Sequence, residues 1–310
     1  MPSLRQFEYL VTVADTGSFT RAAALLHVTQ PALSHQIRAL ETDVGGRLLD
    51  RLPRSVRLTP SGRALLPHAR AALADAARAR SAARRAVGLE GGELQLATIF
   101  SVSLGVLPPV LRAWSDAHPD VQVRLREYRH ADELHAAMAA GEADAAIGPV
   151  PPRWDGPIRP IGVEEFVVVL PANDPAGPSE ELLDLRHLAD RRWVHYAPGH
   201  GMAELLDHIC QTVGFTPQVA VRTEQTATAP VLAAAGLGPT ITSANVIPPH
   251  LDGLLRWPDP PITRRLVAYA RGAPDPLTAA FLDTVAERAR VRPSELRAPT
   301  APSRHATIEL

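Results

Sequence analysis

The sequence contains no lysine and only one cysteine, Cys210, among its 310 residues. A single cysteine excludes an internal disulfide framework and a multi-cysteine metal site. No apolar run approaches the ~18 residues that a membrane-spanning helix needs, and the first ten residues lack the apolar stretch of a secretory signal peptide. These absences predict a cytoplasmic protein that has no membrane partner.

Arginine supplies all 32 basic residues, and its distribution is uneven. Residues 1–90 hold 13 arginines against seven acidic residues, whereas residues 91–310 hold 19 arginines against 26 acidic residues. The net charge of −1 therefore hides a first segment of +6 and a remainder of −7. A basic segment joined to an acidic remainder indicates a polyanion partner for the first part only.

The first 60 residues carry three helical patterns followed by two β-like pieces. Ser18 is a good N-cap for the second helix, and Pro31 is tolerated in the first turn of the third. The predicted elements are helices 2–15, 18–26 and from Thr29 or Gln30 to Val44, then strands 47–51 and 55–59 that form a two-stranded wing. The predicted apolar face of the first helix consists of Leu4, Phe7, Leu10, Val11 and Ala14.

The third helix has an apolar side, formed by Leu33, Ile37, Leu40 and Val44, and a polar side. Short hydrogen-bonding groups early in a helix suit base edges, and arginine suits phosphates. A solvated polar face on an ordinary helical subdomain is the alternative, but the basic excess favours double-stranded DNA. The residues predicted to face away from the core are Pro31, Ser34, His35, Arg38 and Thr42.

A long helix is predicted from Pro60 to Leu89, roughly 45 Å in length. Small and apolar residues recur along it with heptad spacing, a pattern typical of helices that pair with other helices. These residues are Leu65, Ala69, Ala72, Ala76, Ala79, Ala83 and Ala86.

Beyond residue 92, strand patterns alternate with helical patterns, which predicts a parallel or mixed α/β sheet. The predicted strands are 93–98, 121–128, 143–148, 166–170, 193–196, 218–223, 239–242 and 265–270, and the predicted helices are 103–117, 131–140, 201–213, 226–235 and 276–289. Residues 291–310 show no periodicity and are predicted to be a disordered tail.

The run GSFTRAAALLHVTQPALSHQIRALETDVGGRLLDR (17–51), followed by VRLTPSG (56–62), closely resembles the winged helix-turn-helix of LysR-type transcriptional regulators. The blocks VLPPVLRAWSDAHPDVQV, GEADAAIG and VLAAAGLG extend the resemblance to about residue 290. It implies an α+β multidomain protein with a winged helix-turn-helix, a long linker helix, and a two-lobed α/β effector domain similar to periplasmic solute-binding proteins. The implied boundaries are 1–60 for DNA binding, 61–90 for the linker, and 91–290 for the effector domain, with lobe one at 92–162 and 265–290 and lobe two at 163–264.

The resemblance also implies partners and site residues. The chain would associate with itself through the linker helix as a homodimer or homotetramer, bind a DNA operator, and contact RNA polymerase if it is an activator. The family usually has arginine where this chain has His35, so the base preference at that step would differ. The residues expected to contact DNA are Thr29, Gln30, Pro31, Ser34, His35 and Arg38 in the major groove, with Arg51 and Arg54 on the wing.

A small-molecule effector is expected between the lobes, at the carboxyl ends of strands and beside helix N-termini. Hydroxyl groups and free backbone N–H groups at helix starts suit an anion, but no arginine is evident in the cleft, so a neutral or zwitterionic ligand stays open. Ile99 and Phe100 indicate a more apolar ligand than is usual in the family. The expected contacts are Ser101, Val102, Ser103, Gly148, Pro149, Gly199, His200, Gly201, Met202, Thr223, Gln225 and Thr226.

Two other functions are weaker. A transport-type binding protein would account for residues 92–290 but not for the basic helix-turn-helix, and no catalytic set supports an enzyme or a cofactor. His195, His200, His208 and Cys210 cluster in sequence without a metal-binding spacing, so no metal site is predicted. Cys210 lies among apolar helix residues, which favours a core position over redox sensing.

Overall fold

The computed structural model describes residues 1–52, 55–86, 92–179, 181–291, 303 and 305–310. The chain divides into two compact units, one formed by residues 1–93 with 136–143 and the other by 94–135 with 144–310. No helix among the described residues is long and apolar enough to cross a membrane.

The first unit is built around three short helices and one long helix. Leu10, Leu33, Ile37 and Leu40 are fully buried in its core, and Leu65 of the long helix packs against them. The elements are α1 (Leu4–Thr16), α2 (Phe19–Leu25), α3 (Gln30–Asp43), β1 (Leu49–Leu52), β2 (Ser55–Leu58) and α4 (Pro60–Ala86).

The buried face of α1 is rotated from the predicted one. Tyr9, Leu10 and Val13 are buried, whereas Leu4, which was predicted to be in the core, is 48% exposed. The helix packs against α2, α3 and α4, so neighbours on several sides, and not the apolar pattern alone, decide which residues are covered.

Helix α4 is continuous from Pro60 through Pro67 to Ala86, and the predicted end at 87–89 lies outside the described residues. Along the predicted seam, Ala69 is fully buried, Ala76 is half-buried and Ala79 is exposed. Among the seam residues whose side chains are described, cover within this chain therefore decreases from Ala69 to Ala79.

After residue 92, strands and helices alternate as predicted. The helices are α5 (Phe100–Gly105), α6 (Leu107–Ala117), α7 (Ala131–Ala139), α8 (Gly201–Val213), α9 (Thr228–Ala234) and α10 (Pro276–Arg288). The strands are β3 (Glu93–Ile99), β4 (Gln122–Tyr128), β5 (Ala145–Pro149), β6 (Ile158–Pro171), β7 (Leu183–Asp184), β8 (Arg192–Tyr196), β9 (Gln218–Thr223), β10 (Thr240–Ser243), β11 (Gly253–Arg256), β12 (Pro258–Asp259), β13 (Ile262–Ala270) and β14 (Ile308–Glu309).

Strands β6 and β13 are the long central strands of the second unit. They lie antiparallel in a sheet with the order β10-β6-β13-β5-β3-β4, and β11 also pairs with β6. The first half of β6 pairs with β13, and its second half pairs with β10 and β11. Trp114 and Phe281 pack edge-to-face on one part of this sheet, with ring centroids 5.2 Å apart, while Trp193 and Tyr196 are buried in the core of the other part.

Two predictions are wrong in this unit. The predicted helix 103–117 is two helices, because α5 ends at Gly105, where a Cβ atom would lie 2.1 Å from the backbone oxygen of Asn245. The predicted disorder of 291–310 is wrong at its end, where Ile308–Glu309 pairs in parallel with Ile262–Thr263.

Candidate DNA-binding surface and effector cleft

The connection between α2 and α3 orients the third helix. Ser18 caps α2 by accepting a hydrogen bond from the Arg21 N–H (3.4 Å), and Thr29 caps α3 by accepting one from the Ala32 N–H (3.4 Å). Between them, His27 adopts a left-handed backbone with φ of 53°, which turns the chain sharply. The helix-turn-helix geometry predicted from the sequence is present.

The outward face of α3 is polar and accessible. The side chains of Thr29, Gln30, Pro31, His35 and Arg38 are all exposed, as predicted. An accessible helix face that begins with short polar groups and ends with arginine can donate and accept hydrogen bonds along base edges.

Ser34 does not lie on this accessible face, although it was predicted to. It is only 3% exposed, because α1 and α2 both pack against α3 and widen its covered arc. The Arg38 Nη2 atom lies 3.3 Å from the Ser34 Oγ and donates a hydrogen bond to it. Ser34 therefore holds the Arg38 side chain.

The wing is a two-stranded antiparallel sheet in which Asp50 pairs with Arg57. The Val56 N–H donates to the Gly17 carbonyl (3.2 Å), which ties the wing to the turn between α1 and α2. Arg57 is exposed. The side chain of Arg51 and all of Arg54, both predicted to contact DNA, lie outside the described residues.

A cavity of about 750 Å³ opens in the second unit, where β6 and β13 pass between the two parts of the sheet. A volume of this size suits a small molecule. Six of the predicted effector contacts line it: Ser101, Pro149, His200, Gly201, Met202 and Thr226.

The other six predicted contacts are not in the lining. Val102 is fully buried in the core, Ser103 donates a hydrogen bond to the Phe100 carbonyl (3.0 Å), and a Cβ atom at Gly148 would lie 2.6 Å from the Leu134 side chain. Thr223 accepts a hydrogen bond from the Gln225 N–H (3.3 Å). These residues, together with Gly199, shape the turns and packing around the cavity.

The N-terminus of α8 offers fewer donors than expected. The Gly201 N–H donates to the Arg129 carbonyl (3.1 Å), the Met202 N–H to the His200 Nδ1 (3.1 Å), and the Ala203 N–H to the His200 carbonyl (2.7 Å). The expectation of free N–H groups for an anion is therefore wrong at this helix start.

His200 lines the cavity as a neutral ring. Burial, followed by the charges of Arg129 and His130, lowers the pKa of His200 below its usual value. Because its Nδ1 accepts from Met202, the neutral ring carries its proton on Nε2, 3.2 Å from the Thr226 Oγ1. Tyr196 stacks on the ring, with centroids 5.2 Å apart.

Sequence reasoning missed the charged network at the strand crossing. Glu164 is fully buried, and it accepts hydrogen bonds from the Arg264 Nε (2.8 Å) and the Ser243 Oγ (2.7 Å). Arg264 also donates to the Ser101 Oγ (3.3 Å), which brings the network to the cavity wall. The sequence signal that could have predicted this network is the opposite charge of Glu164 and Arg264, which are paired on neighbouring strands.

The cavity also has more arginine than expected. Arg129, Arg264 and Arg265 all line it, together with Asp132 and Glu204. The expectation that no arginine lies in the cleft is therefore wrong. Arg129 lies 3.4 Å from the Glu224 carboxylate, so part of this positive charge is balanced locally.

No group of three or more His, Cys, Asp or Glu side chains that could hold a metal ion is found among the described residues. His195 is fully buried, with its Nε2 3.1 Å from Asp207. Cys210 is also fully buried, and burial raises the pKa of its thiol to about 12. A thiol held so strongly protonated is a poor nucleophile.

Two family models cover most of this chain. The model of the bacterial regulatory helix-turn-helix protein, lysR family, matches residues 4–63, and that of the LysR substrate binding domain matches residues 88–290. The chain is 32% identical over 262 residues to the HTH-type transcriptional regulator ShiR of Corynebacterium glutamicum, covering 83% of this chain and 85% of that one. It is 32% identical over 292 residues to the HTH-type transcriptional regulator IlvR of Caulobacter vibrioides, covering 92% and 97%.

The structure resembles that of CbnR, a LysR family transcriptional regulator, with a TM-score of 0.68, 26% identity, and coverage of 93% of this chain and 100% of CbnR. CbnR complexed with its target DNA gives a TM-score of 0.65 at 26% identity, with coverage of 92% and 99%. The chain therefore belongs to the LysR family and is a DNA-binding transcriptional regulator with an effector-binding domain.

Proposed function

We propose that residues 1–60 recognise an operator by inserting α3 into the major groove. The observation that carries this proposal is the accessible row of Gln30, Pro31, His35 and Arg38, with Arg38 held by the buried Ser34. Arg38 contacts a base edge in this scheme, and His35 sets base preference at the neighbouring step. Arg51 and Arg54 contact the flanking backbone.

The test is gel-shift titration on the DNA upstream of the chain's own coding sequence, with unrelated DNA of equal length as competitor. Arg38→Ala should weaken specific binding by ~1–3 kcal/mol, the value of one good base contact. Arg112→Ala removes an exposed arginine from α6 and is the matched control. Equal affinities for the Arg38 and Arg112 variants would refute the assignment.

Ser34→Ala tests the positioning role separately. Losing the Ser34 hydroxyl frees the Arg38 side chain without removing its charge, so specific binding should weaken while binding to unrelated DNA stays the same. His35→Arg should change base preference more than affinity.

We infer that α4, within the proposed linker 61–90, pairs two copies of the chain into a dimer, and that dimers can combine into tetramers. Support comes from the heptad seam and from its incomplete cover after Ala69. Ala76→Glu places like charges opposite each other in a two-fold dimer and should dissociate it. Ala77→Glu adds the same charge one position off the seam, so light scattering should still give a dimer.

We infer that residues 91–290 bind a small molecule in the cavity at the strand crossing. The proposed lobes, 92–162 with 265–290 and 163–264, meet at the paired residues Val163 and Arg265. Arg264 faces Glu164 and Arg129 lies near Glu224, so carboxylates already balance two of the three cavity arginines. This balance favours a neutral or zwitterionic effector over an anion.

Calorimetry of the full chain against metabolites of the neighbouring genes tests this pocket. Ser101→Ala and Thr226→Val should weaken binding, because each removes a hydroxyl from the cavity wall. Ser115→Ala removes an exposed hydroxyl from α6 and is the control. A ligand whose affinity is unchanged by all three variants binds elsewhere.

We also infer that the protein works in the cytoplasm and has no catalytic activity. A cytoplasmic site gives the helix-turn-helix access to DNA, and at an activated promoter the DNA-bound protein would contact RNA polymerase. Assays of the purified chain against the effector that calorimetry identifies should show no turnover.

A further inference from the structure

The last described residues form a strand that completes the edge of β13. The Ile308 N–H donates to the Pro261 carbonyl (2.8 Å), and the Leu310 N–H donates to the Thr263 carbonyl (3.0 Å). On this side of β13, pairing with β5 extends only from Ala270 to Leu266. The strand β14, named here the tail strand, therefore occupies edge positions that β5 does not reach.

Side chains anchor the tail strand on both sides of the edge. The Ser303 Oγ donates to the Asp259 Oδ1 (2.7 Å), and the His305 Nδ1 lies 3.2 Å from the Asp259 Oδ2. Asp259 is only 6% exposed, so this carboxylate is a buried attachment point. Ile308 is 8% exposed and belongs to the same apolar core as Ile262.

The tail strand delivers two side chains to the effector cavity. Glu309 and Leu310 both line it, as do Arg264, Arg265 and Val150. Val150 follows Pro149, whose partner on β13 is Leu266, the residue after Arg265. Glu309 is paired with Thr263, two positions before Arg265. Paired residues, and residues two apart along a strand, share one face of the sheet, so Glu309 lies diagonally beside the exposed Arg265.

This placement changes the charge of the cavity. Carboxylates of Glu164 and Glu224 already face Arg264 and Arg129, whereas no ion pair of Arg265, the third lining arginine, is found among the described residues. Glu309 puts a negative charge beside it. Without the tail strand, the charge of Arg265 would favour anions at this end of the cavity; with it, the carboxylate of Glu309 offsets that charge.

We propose that the tail strand is a charge-selective specificity element of the effector cavity: Glu309 repels anionic groups, Leu310 narrows the opening, and the effector presents a neutral or cationic group to this end. The identity of the ligand as an effector rests on the function proposed above. The charge and access that the tail strand controls are properties of the cavity itself, and they can be measured without that effector.

The experiment uses a reporter thiol at Val150, a cavity-lining residue that is 37% exposed. In the Val150→Cys chain, rates of modification are measured with an anionic reagent, sulfonatoethyl methanethiosulfonate, and a cationic one, trimethylammonioethyl methanethiosulfonate. The native Cys210 does not interfere, because it is fully buried and its pKa is raised to about 12. The ratio of the two rates reports the local potential.

Glu309→Gln should raise the ratio of anionic to cationic rates roughly three- to ten-fold, the effect of one charge at short range in partly screened surroundings. A chain that stops after residue 302 should show the same change in ratio together with faster modification by both reagents. Glu287→Gln removes a charge that is also exposed, from α10 and outside the cavity lining, and should leave the ratio unchanged.

An unchanged ratio in the Glu309→Gln chain would overturn the proposal, even if the shortened chain unfolds. Unchanged rates in a folded shortened chain would equally overturn it. Failure of this proposal can be distinguished from failure of the proposed function, because a chain that does not bind an operator still has this cavity and this reporter thiol.

Discussion

The buried pair of Glu164 and Arg264 should be the most costly polar contact of the second unit to break. Glu164 is fully buried and the Arg264 side chain is 12% exposed. Arg264→Met removes the Nε and Nη2 donors, and Ser243 and Asn245 are then the hydrogen-bond partners of Glu164 that remain among the described residues. Leaving a buried charge without its counter-ion costs about 3–5 kcal/mol, so urea unfolding followed by circular dichroism should show a loss of that size.

A double-mutant cycle separates the pair from the packing around it. Glu164→Leu alone should cost a similar amount, but the double variant should cost less than the sum, with a coupling of about 0.5–3 kcal/mol, because neither charge is then left alone. Arg159, on the same strand as Glu164, forms an exposed ion pair with Asp283. Arg159→Met is therefore the control, with an expected loss of stability of about 0–1 kcal/mol. Equal losses for Arg264→Met and Arg159→Met would refute the reasoning.

Three further results are expected. Iodoacetamide at pH 8 should label Cys210 only after unfolding, and rapid labelling of the native chain would contradict its burial. Because folding raises the pKa of this thiol from 9.0 to about 12, the folded state favours the protonated thiol, and the free energy of unfolding should fall as pH rises above 9.0. Trp114→Ala should cost about 3–5 kcal/mol in urea unfolding because the ring is fully buried against Phe281, and a loss below 1 kcal/mol would show that the site collapses. Gly105→Ala should lower the free energy of unfolding by about 1–3 kcal/mol, because the new Cβ atom would meet the Asn245 backbone. Gly46→Ala is the control, since its Cβ atom would have nothing within 4 Å, and should change stability by no more than about 0.5 kcal/mol. Equal urea-unfolding midpoints for the two variants would contradict the contact at Gly105.

Local signals predicted the helix-turn-helix well. Ser18 caps α2 as expected, and Leu33, Ile37 and Leu40 are buried as their spacing indicates. Val44, predicted to continue that apolar spacing, lies just beyond the end of α3 and is 39% exposed. Ser34 was misplaced because α1 and α2 together cover more of α3 than one apolar stripe requires. Helix periodicity describes a single face, but the width of the buried arc depends on how many neighbours pack against it.

The contacts of the effector cavity could not be predicted from the sequence, because they depend on segments that are far apart in the chain. The sequence indicates that α8 begins at Gly201, yet its donors are used by Arg129 and His200, and the Arg129 carbonyl comes from a distant segment. The tail strand is only two residues long, too short for periodicity. Its existence depends on an open edge of β13, which appears only when the sheet is assembled.

The contacts across the cavity also limit how an effector can act. The buried Glu164–Arg264 pair is costly to break and lies within lobe two, whereas His130 of lobe one and Glu204 of lobe two, 2.9 Å apart, form a contact between the lobes in which the Glu204 side chain is 67% exposed. A ligand shifts a conformational equilibrium only through differences in its affinity for the two states. Since the buried pair would persist in both states, the differential affinity has to come from the exposed side of the cavity, where His130, Glu204 and Glu309 lie. Both carboxylates on that side favour a ligand that brings a hydrogen-bond donor or a positive charge, so closure and charge selection depend on the same few side chains.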